Sequence, residues 1–219
     1  MRLKSPRFTA TPEAFSLSSD NRTKVAAMMR NNQIIWDPLV RIFHALLMLC
    51  FAVAWWFEDD YLYLHLLCGS TVLGLVFFRI IWGFAGTRYS LFRDFPLASR
   101  LLLSHLKSLW QLRKNSYPGH TPAGSFMIVA LLLLLLLLSL SGVAVYALQT
   151  GHGPMAGWAG AIDFQREIWM TKIHSLLADS IVLLVLLHVG GVLIESLLHK
   201  QNLPLAMITG RKSRKEREK

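Results

Sequence analysis

Four histidines, His44, His65, His174 and His188, stand inside long apolar runs of a 219-residue chain. Neutral imidazole binds transition metals and haem iron, moves protons and makes hydrogen bonds. Ionisable groups in such runs are expensive to place in lipid and mark functional positions by default. One such histidine alone reads equally as a hydrogen-bonded residue inside a helix bundle. The spacing of the four says more. His174 and His188 are 14 residues apart, roughly 21 Å along a helix axis and within roughly 40° of one direction. Both imidazoles then leave one side of one helix at two depths.

The elements that carry them are membrane spans. Hydrophobic residues make up 53% of the chain and charged residues 16%, against about 25% charged in a soluble domain. Residues 123–148 hold no formal charge, more than the roughly 20 residues a spanning helix needs. The sequence predicts spanning helices over about 37–57, 61–83, 122–148 and 170–198. Asp37 is the N-cap and Pro38 the first residue of the first one. Between the second and third, 96–114 is amphipathic: Leu97, Leu101, Leu102, Leu106, Leu109 and Trp110 recur at helical spacing, the pattern of a helix lying in the membrane interface. The fold class is an all-α four-helix transmembrane bundle with that interfacial helix. Residues 1–33 are a polar tail without the apolar core of a cleavable signal peptide, 34–199 the membrane domain and 200–219 a basic tail.

The net charge of +10 reads as topology, with no nucleic-acid partner. Residues 1–41, 79–122 and 195–219 hold seven Lys and Arg each, while the second outer loop holds only Arg166 and Lys172 and the first none. Basic residues collect on the cytoplasmic side, so both termini are expected in the cytoplasm of a bacterial inner-membrane protein. The depths then pair His65 with His174 near the periplasm and His44 with His188 near the cytoplasm. Two bis-histidine sites stacked across a four-helix bundle is the arrangement of a di-haem b-type cytochrome. A metal transporter would gather carboxylates and sulfur at one depth. No Cys-x-x-Cys-His is present, which excludes covalent c-type haem, and Cys50 and Cys68 give no disulfide framework.

Other residues share these faces. Arg79 and Arg41 are placed to meet carboxylates of the inner haem, and each also serves as a positive-inside anchor. Gly69, Gly190 and Gly191 are candidates for close approach of a flat macrocycle or for helix packing. His105 and His120 are candidates to serve a quinone headgroup near the inner haem, with His105 expected to be solvated on the interfacial helix. Asp179 is expected to hydrogen-bond a neighbouring helix.

Several motifs carry a resemblance. Trp36-Asp37-Pro38 through Arg41-Ile42-Phe43-His44, Arg79-Ile80-Ile81-Trp82-Gly83-Phe84-Ala85-Gly86, Gly119-His120-Thr121-Pro122-Ala123-Gly124, His188-Val189-Gly190-Gly191-Val192, Asn202-Leu203 and Ala206-Met207-Ile208-Thr209-Gly210-Arg211-Lys212 resemble the bacterial di-haem cytochrome b561 family, which includes hydrogenase cytochrome b subunits. The resemblance covers about 34–214. It implies a membrane cytochrome with two non-covalent b haems ligated by His44, His65, His174 and His188. Such a protein exchanges electrons between quinone and a periplasmic cytochrome c, dehydrogenase or hydrogenase, often as a subunit of a larger complex. Ala45 stands where the family would place an aromatic, and Lys172-Ile173-His174-Ser175 lacks the acidic residues expected beside that ligand. Two other classes stay open. One is a self-contained superoxide:quinone oxidoreductase; the other is a haem-bearing structural anchor, which leaves two haem depths unexplained. An outer surface mixing Glu58, Asp59, Asp60, Asp163 and Glu167 with Arg166 and Lys172 suits a cationic partner better than an anionic substrate.

Overall fold

The computed structural model describes residues 37–57, 61–87, 90–111, 121–159, 164–199 and 202–209, and all regular structure among them is helical. The helices are α1 (Pro38–Trp56), α2 (Leu62–Ala85), α3 (Ser99–Trp110), α4 (Pro122–Thr150), the short α5 (Ala156–Ala159), α6 (Phe164–His199) and α7 (Leu203–Thr209), with a 3₁₀ turn at Phe92–Asp94. Helices α1, α2, α4 and α6 are each long and apolar enough to cross a membrane. The four-helix membrane bundle with an additional helix between the second and third spans is therefore the observed architecture. At 36 residues, α6 reaches about 54 Å, well beyond the roughly 30 Å of bilayer hydrocarbon.

Local chemistry starts and stops these helices. The Asp37 carboxylate accepts from the Leu39 N–H at 2.8 Å, and Pro38 takes the first position, where no N–H is needed. Thr121 caps α4 in the same way, accepting from Gly124 N–H at 3.2 Å. Helix α4 ends where Gly151 turns left-handed at φ 70° and sends its N–H to Ala147, a conformation that costs glycine nothing.

Helix α4 lies at the centre, packed on α6 and on α2, while α1 packs on α2. Its buried face runs through Leu132, Leu135, Leu138, Ser141, Ala144, Ala147 and Leu148. Leu135 and Leu138 meet Val72 and Val76 of α2 and Ile181 of α6 in the main core. Small residues on that face let helices approach closely where dispersion and shape, not water exclusion, hold them together.

Helix α1 starts, α2 finishes, α4 starts and α6 finishes at one end of the bundle, here called the terminal end. Asp37 clasps this end. Its carboxylate also accepts from Trp82 Nε1–H at 3.0 Å and Thr87 Oγ–H at 2.8 Å, tying the start of α1 to the end of α2. Burial pushes the Asp37 carboxyl up, but the hydrogen bonds from Thr87, Leu39, Trp82 and Val40 together hold it below the usual carboxylate range. Gly83 makes room for Phe92, whose ring would lie 2.1 Å from an added Cβ. The Arg41 guanidinium donates to the carbonyls of Met207 (3.1 Å from Nε) and Ile208, satisfying the free carbonyls that end α7. Residues 203–209 are thus a helix fastened to the bundle.

Candidate functional site

His65 comes from the first turn of α2 and His174 from α6, at the end opposite the termini, and their ring centroids are 6.1 Å apart with planes crossing at 72°. His65 Nδ1 lies 2.8 Å from the Ala54 carbonyl of α1. Ala54 is in the last turn of α1, so its carbonyl lacks an intrahelical N–H and is free to accept. His174 Nδ1 lies 3.1 Å from the Leu138 carbonyl and 3.0 Å from Ser141 Oγ, both on α4. A carbonyl only accepts, so each Nδ1 carries the proton and each Nε2 presents a lone pair. This is how a metal-ligating histidine is oriented. Among the described residues neither Nε2 has a hydrogen-bond partner. Two imidazole–metal bonds of about 2 Å each, with the two ring half-widths, reach from one centroid to the other. Gly142 forms the floor of the site: an added Cβ would lie 2.9 Å from His174 Cε1.

At the terminal end, His44 of α1 and His188 of α6 are near enough to interact electrostatically, and both are half-buried. Helices α1 and α6 are not among the closely packed pairs of the described residues. Gly190 and Gly191, beside His188, and Gly69, one turn from His65, would meet nothing within 4 Å if given a Cβ. These glycines leave room beside the histidines, and among the described residues none of them serves close packing of one helix on another. Arg79 is only 4% exposed, with its guanidinium 4.7 Å over the Phe92 ring. Its Nη1 is buried without a hydrogen-bond partner among the described residues, a donor of the kind an anionic group would satisfy.

The described residues contain no cluster of three or more His, Cys, Asp or Glu able to hold a metal ion. A bare ion would have too few ligands at either histidine pair. A metal that brings its own equatorial ligands needs two imidazoles and no more, which is the donor set found here.

The remaining candidates are distributed as follows. His105, expected to be solvated, is instead 1% exposed, with Nε2 3.1 Å from Glu195 Oε1 on α6. The interfacial helix turns this residue toward the bundle, where the half-buried Glu195 carboxylate meets it. Asp179, expected to bond a neighbouring helix, is exposed on α6 with no hydrogen bond or ion pair among the described residues. His120 lies outside the described residues. Cys50 and Cys68 are free. The sequence reading missed Ala54, Leu138, Ser141, Gly142 and Glu195. Three of these sit on α4, which has no histidine and is apolar on every side, so no periodicity marks its functional face.

Residues 35–210 match the family model described as prokaryotic cytochrome b561. No curated protein and no solved structure matches the chain. The match spans most of the sequence, and the chain belongs to this family. It is a multi-pass bacterial membrane protein of the b-type cytochrome class, acting in electron transfer with b-type haem.

Proposed function

We propose that this prokaryotic cytochrome b561 holds two b haems, one between His65 and His174 and one between His44 and His188, and relays electrons across the membrane between quinone and a periplasmic redox protein. The observation that carries this reading is the His65–His174 pair, with both Nδ1 atoms anchored to backbone carbonyls and both Nε2 atoms left for a metal between them. Haem supplies reversible one-electron chemistry at its iron when bound. The chain's residues do the rest. Ala54, Leu138 and Ser141 fix the ring orientation and tautomer. Gly69, Gly190 and Gly191 leave room for a flat ring. Arg79 offers its unsatisfied Nη1 to a propionate of the inner haem. Arg41 is already engaged by Met207 and Ile208, so the propionate contact falls first to Arg79.

The charge split places the terminal end in the cytoplasm. The His65–His174 pair then faces the periplasm, beneath loops whose acidic residues suit a cationic partner such as a cytochrome c. Quinone reacts at the His44–His188 end, where the interfacial helix and His105 lie. The test is the pair of variants His174→Ala and His188→Ala in the purified protein, read by haem content and visible spectra. Each is expected to lose one haem and keep the other. Loss of both haems from each variant, or of neither, would overturn the two-site assignment.

A further inference from the structure

Glu195 lies seven residues after His188 on α6, so it shares that histidine's face to within roughly 20° and sits about 10 Å nearer the terminal end. Its Oε1 accepts from His105 Nε2 at 3.1 Å and from Thr121 Oγ–H at 3.0 Å. One carboxylate thereby joins α3, the cap of α4 and α6. The side chains of His105 and Glu195 are only 2% and 16% exposed. A buried ionisable pair is a weak device for stability, because apolar packing would hold the same helices at less desolvation cost. Its presence calls for another role. Ser125 points to that role. It follows Thr121 by four residues, on the same face of α4 and about 6 Å deeper. It is fully buried, and its hydroxyl has no partner among the described residues. In depth it stands between Glu195 and His188. Two proton-bearing groups therefore follow one another in depth toward the histidine pair: Glu195, whose side chain keeps 16% exposure against 2% for His105, then the Ser125 hydroxyl.

We propose that Glu195 is the proton-exchange group of a quinone site at the terminal end, with Ser125 Oγ–H donating to a carbonyl oxygen of the headgroup and His105 holding the Glu195 carboxyl in position. This rests on the reading above that quinone reacts at the His44–His188 end. The balance is that of a quinone taking up two electrons and two protons. A haem held by His44 and His188 would supply the two electrons one at a time. The Glu195 carboxyl breaks its O–H bond to form one on the nearer quinone oxygen, and is reprotonated by water reaching the exposed part of its own side chain. The second proton comes from water at the same surface, where the sequence places His120. Quinol oxidation runs the same transfers backwards.

The experiment uses the full-length haem-loaded protein in lipid nanodiscs, with a short-chain ubiquinol as probe. Glu195→Gln should keep both haems and be fully reduced by dithionite, while ubiquinol-driven haem reduction slows about a hundredfold, within the range for loss of a general acid–base group. The redox-induced infrared difference spectrum should lose a deuterium-sensitive carboxyl band. Glu195→Asp should restore part of the rate and a carboxyl band, and it serves as the readout should the Gln variant lose haem. Ser125→Ala should weaken ubiquinol binding about tenfold, with haem spectra unchanged. A Glu195→Gln rate within threefold of the parent, or an unchanged carboxyl band, overturns the proposal. The failure of the underlying reading looks different: ubiquinol would then still reduce the His188→Ala protein and fail to reduce His174→Ala.

Discussion

Gly142→Ala probes the His174 site with the smallest possible change. The new methyl carbon would lie 2.9 Å from His174 Cε1, 3.5 Å from Nδ1 and 3.7 Å from Nε2. The first distance is too short for carbon on carbon, so either the ring or the helix must give. The ring is held by Leu138 and Ser141 through Nδ1. Turning it away breaks those bonds, each worth about 0.5–1.5 kcal/mol net. Moving α6 instead opens the α4–α6 packing, and overpacking of this kind costs about 1–3 kcal/mol. Either way the haem bound at His65–His174 should weaken by about 1–3 kcal/mol, about 5- to 150-fold in affinity. The assay is haem titration into the apoprotein, followed by visible spectra and haem content. The expected result is weakened binding at one site with the other unchanged, and more so for Gly142→Val. Unchanged affinity at both sites, with the helical fold intact, would show that His174 does not lie on Gly142 in the working protein.

Other consequences follow from the same geometry. Arg79→Gln should lower the midpoint potential of the haem at His44–His188, because a buried positive charge that favours the reduced state is removed; redox titration in the visible reads this, and an unshifted potential excludes Arg79 from that site. Asp37 has its folded pKa depressed, so its clasp contributes fully above the unfolded value of about 3.9 and is lost as pH falls through the lower folded value. Asp37→Asn should accordingly lower the thermal midpoint at pH 7 and leave that midpoint less sensitive to acid than the parent's, as followed by circular dichroism in detergent. Reporter fusions after the C-terminus should score cytoplasmic and those near Gly153 periplasmic, and the reverse would invert every depth assigned here.

Much of this arrangement is legible in the order of residues. The spans follow from charge-free length, the α1 and α4 starts from Asp37-Pro38 and Thr121-Pro122, and the histidine faces from 14-residue spacing along one helix. Pairing His65 with His174 needed only depth and direction. What tertiary packing decides is less visible. Helix α4 is leucine on nearly every side, so nothing in its pattern announces that Ser141 and Gly142 meet His174 while Leu137 faces outward. The Ala54 carbonyl acts through the backbone, which no side chain encodes. His105 sits on the amphipathic α3 among polar neighbours, and its burial depends on Glu195, 90 residues away. Asp179 offered no signal of direction either, since a carboxylate in a span is compatible with facing a neighbour or facing outward. The motifs Trp36-Asp37-Pro38 and Trp82-Gly83-Phe84-Ala85-Gly86 gain a physical meaning from the clasp: Trp82 and Thr87 donate to Asp37, and Gly83 admits Phe92.

The central claim is that two histidine pairs hold two haems. The most direct measurement is the number of b haems per chain in the purified, fully loaded protein, by pyridine haemochrome against quantitative amino-acid analysis. The account predicts close to two, with low-spin bis-imidazole spectra for both. A saturated value of one would contradict it.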